Sequence, residues 1–234
     1  MWKMGKILLC VFSLCFILQS SLVNAAQKSP DWVGKLPVAE QSNQILVVAG
    51  VDKTTAWVSL HNRGAGGEWQ QIMTTPGVIG HNGLGKTREG DGKTPVGNFH
   101  VDKAFGLADD PGCAIPYVKA DEFTYWSGDK RPRFYNRMVD IRKVPDLDKK
   151  ASEHIIDYPN RYQHCLNISY FSLNYKNDEH VIGFGLFIQC FPAAKPFTEG
   201  GVAIPKDKMV FLLQHIDPKC IIVIDSMDKL GASF

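Results

Sequence analysis

Short apolar runs, separated by glycine, proline and polar residues, recur along the chain after residue 43. Runs of this length, either continuous or alternating with polar residues, are typical of β-strands. They predict strands at 44–48, 56–60, 69–75, 98–103, 167–175, 181–190 and 221–224. Residues 76–97 are crowded with glycine and proline, which predicts a loop with brief extended pieces. The whole pattern predicts a mainly β domain with a few helices.

One helix is clearly indicated near the C-terminus. Residues 206–216 follow Pro205 and stop before Pro218. Their apolar positions recur at the helical spacing i, i+3, i+4, i+7, namely Met209, Leu212, Leu213 and Ile216. The apolar run at 221–224 then predicts a buried final strand. A second helix is predicted around 146–155.

The first 25 residues have the three-part pattern of a secretory signal peptide. A basic start is followed by an apolar run from Ile7 to Leu18 and by small residues up to Ala25. The run is shorter than the roughly 20 residues that span a bilayer, so an uncleaved membrane anchor is the less favoured alternative. The sequence predicts an exported protein of the periplasm, the cell wall or the extracellular space, with no stable membrane span after cleavage.

Removal of 25 of the 234 residues leaves 209, which suits one large domain. We expect a flexible, proline-punctuated lead-in at 26–43, a folded domain at 44–225 and a C-terminal tail at 226–234. Loss of Lys3 and Lys6 lowers the formal charge from +2 to 0. Because no later basic cluster is interleaved with aromatic residues, no nucleic-acid partner is predicted. The sequence makes no prediction of oligomeric state.

Four cysteines lie beyond the predicted cleavage site: Cys113, Cys165, Cys190 and Cys220. Residues 176–179 have good turn chemistry for a hairpin, and a turn centred there places Cys165 opposite Cys190. Adjacent antiparallel strands bring such a pair close enough for a disulfide, so we expect a Cys165–Cys190 bridge, with buried free thiols as the alternative. No CxxC spacing occurs and the histidines do not cluster with the cysteines, so neither a metal site nor a cofactor is predicted.

Four sequence elements occur in a fixed order along the chain. Residues 88–99 read Arg-Glu-Gly-Asp-Gly-Lys-Thr-Pro-Val-Gly-Asn-Phe and lead into a predicted strand. Ala-Phe-Gly at 104–106 and Tyr-Asn at 135–136 follow. Leu-Phe-Ile-Gln-Cys at 186–190 and Thr-Glu-Gly-Gly-Val-Ala-Ile at 198–204 complete the series. Together these elements resemble the catalytic domain of L,D-transpeptidases, and the resemblance implies the β-sandwich fold of that family.

The resemblance also implies where the chemistry would lie. In that family a histidine ends a strand, and a cysteine follows Ser/Thr-x-Gly; carried over, the cysteine position is Gly201 and the histidine position is Gln189. The family's thiolate attacks a peptidoglycan stem tetrapeptide and releases its terminal D-alanine. Glycine cannot be acylated and glutamine cannot act as a general base. The resemblance therefore predicts an inactive homologue that binds peptide stems or has a structural or regulatory role in the envelope.

Three further interpretations stay open at this point. Thr198, Glu199 and Gly200 either contact a substrate or belong to an ordinary loop. A working enzyme with shifted chemistry would use Cys190 as nucleophile or Glu199 to activate water, although Cys190 faces away from the cleft if Gln189 faces it. A domain with a filled cleft and no cell-wall contact is the third. We expect His81 to be a turn residue rather than a catalyst.

Overall fold

The computed structural model describes residues 27–169, 184–192 and 195–232. Thirteen strands and two α-helices form within these ranges. The strands are β1 (Gln27–Lys28), β2 (Gln44–Gly50), β3 (Thr55–Arg63), β4 (Trp69–Val78), β5 (Gly97–Gly106), β6 (Tyr117–Lys119), β7 (Thr124–Ser127), β8 (Arg137–Asp140), β9 (Glu153–His154), β10 (Cys165–Ser169), β11 (Phe187–Cys190), β12 (Val202–Ile204) and β13 (Ile221–Ser226). The helices are α1 (Lys206–His215) and α2 (Met227–Leu230). The predicted mainly β class is confirmed.

The main sheet closes on itself. Its strands pair in the order β4-β12-β11-β10-β5-β13-β2-β3, and an additional pairing between β3 and β4 joins the two ends. Strand β1 pairs with β4 and β6 pairs with β5, while β8, β7 and β9 form a separate three-stranded sheet. Closure leaves these eight strands with hydrogen-bonded neighbours on both sides. The expected sandwich therefore takes the form of a closed sheet around one core.

Alternation along the strands divides the apolar residues between the inside of the closed sheet and its outer faces. Leu46 and Val48 belong to the enclosed core, whereas Ile45 and Val47 belong to a cluster on the outer face. The helix α1 packs into the enclosed core through Met209, Leu212 and Leu213, as its spacing predicts. The predicted final strand is confirmed as β13.

Some predicted elements reach residues that the structure does not describe. The strand expected at 167–175 begins at Cys165 and is described to Ser169, and the one expected at 181–190 is described as Phe187–Cys190. The predicted hairpin turn at 176–179 and the predicted signal peptide at 1–25 lie outside the described residues. Within the described part of the chain, none of the helices has the length and apolar character needed to cross a membrane.

The predicted Cys165–Cys190 disulfide is wrong. Strands β10 and β11 pair with Cys165 opposite Gln189, one residue away from the expected register. Because side chains alternate between the faces of a strand, this difference places the two cysteines on opposite sides of the sheet. Cys190 packs in the enclosed core and Cys165 in an aromatic cluster outside it, and both are free thiols.

The predicted helix at 146–155 is also wrong, since this segment forms turns, the short strand β9 and a 3-10 turn at Ile155–Asp157. The side chain of Asp148 accepts hydrogen bonds from the backbone N–H groups of Lys150 and Ala151. The hydroxyl of Ser152 donates to the carbonyl oxygen of Asp148. Such local side-chain bonds compete with helical hydrogen bonding, and here they stabilise a turn.

The lead-in at 26–43 was expected to be flexible, but its described residues are folded. Two 3-10 turns, Val33–Lys35 and Pro37–Glu40, place Val33 and Leu36 in the apolar cluster on the outer face of β2 and β13. Leu230 of α2, from the predicted C-terminal tail, joins the same cluster. The reason is that β2 and β13 carry apolar residues on both faces, so the outer face needs a cover.

Replacement of Leu36 tests this packing. Leu36→Ala is expected to lower the free energy of unfolding by about 2–3 kcal/mol, because it removes buried methyl groups and leaves a cavity. Lys35→Ala, at the exposed neighbouring position, should change it by less than about 0.5 kcal/mol. Urea denaturation measures both. Equal, near-zero effects of the two substitutions would contradict a packed lead-in.

A fully buried histidine ties β1 to the closed sheet. Nδ1 of His61 lies 2.8 Å from the hydroxyl of Ser29, and Nε2 lies 2.8 Å from the hydroxyl of Ser59. The ring of Trp32 packs edge-on against the imidazole, and the two ring centroids are 6.2 Å apart. Burial lowers the pKa of His61 from 6.5 to about 4, because the charged imidazolium would lose its hydration.

This burial predicts a pH dependence of stability. Between pH 6.5 and about 4, the unfolded chain binds a proton at His61 that the folded chain does not. The contribution of neutral His61 to the free energy of unfolding should therefore be complete above pH 6.5. It should fall by up to about 3 kcal/mol as the pH drops to about 4. The variant His61→Gln should lose this component when denaturation is followed across the same pH range. An unchanged pH profile in that variant would contradict the assignment.

Candidate functional site

Two loops meet beside β11, and two threonine hydroxyls join them. The hydroxyl of Thr94 accepts from the backbone N–H of Gly80 at 2.9 Å and donates to the carbonyl oxygen of Gly201 at 3.2 Å. The hydroxyl of Thr198 donates to the same oxygen at 2.6 Å and accepts from the N–H of Gly200 at 3.1 Å. Both threonines are buried, so Gly201 is fixed from two directions.

Asp91 organises the first of these loops. Its side chain forms an ion pair with Lys86 at 3.3 Å, and the two side chains are 7% and 3% exposed. Burial alone would raise the pKa of Asp91, but the backbone N–H groups of Thr87, Lys93 and Arg88 and the Lys86 ammonium hold it well below its usual range. Asp91 is therefore an internal anchor of the loop rather than a solvated residue.

The structure brings the sequence-predicted site residues together. A cavity of about 80 Å³ is lined by Gln189 at the end of β11 and by Gly201 just before β12. The same cavity is lined by Thr198, Glu199 and Gly200. The parallel pairing of Ile188 with Val202 places Gly201 level with Phe187. The roles of these residues stay predictions, but they lie around one cavity.

Gly201 has no room for a side chain. A Cβ atom built there would lie 2.7 Å from the carbonyl oxygen of Phe187. A contact this short with backbone cannot be relieved by rotating a side chain, so β11 or the loop would have to move. Position 201, where the sequence resemblance predicts the cysteine of an L,D-transpeptidase, therefore has no space for a side chain unless the backbone moves.

None of the four cysteines among the described residues lines this cavity. Cys190 is 2% exposed and faces the enclosed core, while Gln189 beside it faces the cavity. Burial raises the pKa of the Cys190 thiol, which disfavours the reactive thiolate. This orientation keeps the Cys190 thiol away from the cavity. Burial also raises the pKa of Cys165, which is fully buried on the other face.

A third segment completes the cavity wall with Glu153, Arg161 and Tyr162. The Tyr162 hydroxyl donates to the Glu153 carboxylate, and burial together with that negative charge raises the pKa of Tyr162 well above its usual value. Sequence reasoning missed these residues because none of the family-like elements includes them. Glu89, from the glycine-rich loop predicted at 76–97, also lines the cavity and accepts from the N–H of Phe184 at 2.9 Å.

Glu199 lies at the rim of the cavity. Its Oε1 is 3.2 Å from the ammonium of Lys195, and its Oε2 is 3.1 Å from Nδ1 of His81. His81 also hydrogen-bonds through its backbone N–H to the carbonyl oxygen of Thr198 at 3.0 Å. His81 therefore helps to hold the two loops together, and Glu199 already has a cationic neighbour in Lys195.

The aromatic residues near the cavity serve mainly as core. Trp126 is 1% exposed and packs against Phe105 and Phe187 with ring centroids 5.6 and 4.7 Å away. The Trp126 ring is therefore not available as a platform for a sugar or a peptide. Among the described residues, no group of histidine, cysteine and acidic side chains is arranged to hold a metal ion.

No protein-family model matches the chain, and no curated protein matches it. Among solved structures, the fold is similar to that of the helical cell shape determining protein Pgp2 from Campylobacter jejuni, with a TM-score of 0.41 and 15% sequence identity. The match covers 79% of this chain and 49% of that chain, so the chain spans about half the length of the protein it matches.

The closed position at Gly201 leads to a stability prediction. Gly201→Ala should lower the free energy of unfolding by about 1–3 kcal/mol, because its Cβ would press on the β11 backbone. Gly66→Ala is the matched control, since the close neighbour there is the far end of the flexible Glu68 side chain. The control should change the free energy of unfolding by less than about 0.5 kcal/mol. Thermal and chemical denaturation measure both, and a neutral Gly201→Ala would contradict the contact.

Proposed function

We propose that this protein is an exported, catalytically inactive relative of the L,D-transpeptidases that binds peptidoglycan stem peptides. One observation carries the proposal: Gly201 and Gln189 line one cavity at the positions where the family has its cysteine and histidine. The motif resemblance supplies the family, and the cavity supplies a place for a peptide. Its setting is the cell envelope, which the N-terminal pattern of the sequence favours.

The chemistry explains why binding without turnover is the better proposal. Acyl transfer needs a thiolate and a base within hydrogen-bond reach of it. Gly201 has no nucleophile, and its Cβ position is blocked by the Phe187 carbonyl. Gln189 is neutral and cannot accept the proton at accessible pH. Cys190, the alternative nucleophile, is buried on the opposite face of β11.

The hydrogen bonds that fix the two loops beside the cavity support a binding role. The threonine hydroxyls at 94 and 198 and the Asp91 anchor keep the two loops fixed around the cavity. The cavity of about 80 Å³ is much smaller than the roughly 300–1,000 Å³ of sites for drug-sized ligands. It therefore suits the end of a peptide rather than a whole stem or a sugar ring.

The absence of turnover is tested by D-alanine release from a synthetic stem tetrapeptide. The parent protein and the variants Cys190→Ala and Glu199→Gln should all stay at the background rate, because no described group can replace the lost nucleophile. Release above background that disappears in Cys190→Ala or in Glu199→Gln would show that shifted chemistry operates. That result would replace the inactive proposal with the enzymatic alternative.

Binding is tested by retention of the purified protein on isolated sacculi. The parent should be retained and displaced by soluble stem tetrapeptide. Thr198→Val should weaken retention, because the loop loses the bonds that fix Gly200 and Gly201. Thr75→Val is the matched control, since it removes an equally buried hydroxyl from β4. Washing of the parent through the sacculi would favour a domain without cell-wall contact.

A further inference from the structure

Most polar side chains that line the cavity already have a hydrogen-bond or ion-pair partner within the protein. Lys86 is paired with Asp91, and Glu89 accepts from the N–H of Phe184. Glu153 accepts from the hydroxyl of Tyr162. Each of these groups has a partner supplied by the fold, so none of them needs a ligand.

Glu199 and Thr198 on the cavity wall also have partners within the protein, whereas Arg161 and Gln189 differ. Glu199 lies 3.2 Å from the ammonium of Lys195, and the Thr198 hydroxyl is bonded to the backbone of its own loop. Within the described residues, Arg161 has no carboxylate within 4.0 Å, and the side-chain amide of Gln189 makes no hydrogen bond. Gln189 is only 4% exposed, yet its side chain lines the cavity. A group that enters the cavity can therefore reach this amide, which the described fold does not engage.

Arg161 is held in place without using its hydrogen-bond donors on a carboxylate. Its guanidinium lies over the ring of Tyr158 at 5.0 Å and near the ring of Tyr162 at 5.8 Å. Burial acts to lower the pKa of Arg161, but neighbouring Tyr162 and Glu153 outweigh it and the pKa is raised, so the cation persists. The side chain is therefore a cation held beside Tyr158 and Tyr162 on the wall of the cavity.

We propose that Arg161 and Gln189 bind a carboxylate that enters the cavity, and that this carboxylate is the C-terminus of the bound peptide. A guanidinium donates two parallel hydrogen bonds to a carboxylate, and the Gln189 amide N–H₂ donates another. The cavity of about 80 Å³ has room for a terminal group of this size. This inference rests on the proposed function, and it adds that the site distinguishes a free peptide end from a blocked or extended one.

The experiment measures binding of three synthetic stem tetrapeptides by calorimetry. One has all carboxylates free, one is amidated at the terminal D-alanine, and one is amidated at the side-chain carboxylate of diaminopimelate. Terminal amidation should weaken binding about tenfold to a hundredfold, because a charge-assisted bond is replaced by a neutral one. Amidation of the diaminopimelate side chain should have little effect.

Two variants separate recognition from folding. Gln189→Glu keeps the size of the side chain but adds a negative charge, so it should weaken binding of the free acid and leave the terminal amide unchanged. Arg161→Lys keeps the charge but loses the paired donors, so it should reduce the ratio between the acid and amide affinities. Arg137→Lys, at an exposed arginine outside the cavity, should keep the parent ratio. An equal loss of affinity for the free acid and for the terminal amide in Gln189→Glu would indicate a structural role and overturn the assignment.

The outcomes also separate this inference from the proposed function. Equal binding of the free acid and the terminal amide by the parent overturns the carboxylate site and leaves stem-peptide binding intact. A loss that follows amidation of diaminopimelate instead overturns the assignment to the peptide C-terminus. Failure of all three peptides to bind overturns both the inference and the proposed function.

Discussion

The three-residue strand β12 is the connection on which the site depends. It pairs in parallel with β11 on one side, and its central residue Ala203 pairs with Val78 of β4 on the other. Without β12 the sheet would be open between β11 and β4, and the loop that precedes it would have no fixed position. Because β12 begins at Val202, its pairing with Ile188 sets Gly201 against Phe187 and beside the cavity. The same short strand therefore closes the sheet and positions the site.

The sequence predicted best where local periodicity and burial agree. The helix α1 and the strand β13 each occupy nearly the predicted residues, since their apolar spacing matches the faces that they bury. The segment 146–155 was predicted wrongly, because the hydrogen bonds that its backbone N–H groups donate to the Asp148 carboxylate form a turn, and such bonds leave no periodic signal. The predicted register between Cys165 and Cys190 was wrong by one residue. A shift of one residue is enough to place a side chain on the opposite face of the sheet.

Some of the residues that line the cavity could also be predicted from the sequence, and others could not. Gly201, Gln189 and Thr198 could be placed near one another because they belong to family-like elements with a known order. Arg161 and Tyr162 could not, since the segment that carries them has no such element and reaches the cavity only through the fold. Nor could the sequence reveal that the lead-in covers β2, because both faces of a strand look alike until the partner surface is known.

The contact between Gly201 and the Phe187 carbonyl also limits which residues position 201 can accept. Here the neighbouring strand occupies the space that a side chain would need, at 2.7 Å from the Cβ position. Any residue with a side chain at position 201 would require movement of β11, which is paired on both sides and buried along its whole length. The stability of the closed sheet therefore favours glycine at this position, whatever the cavity binds.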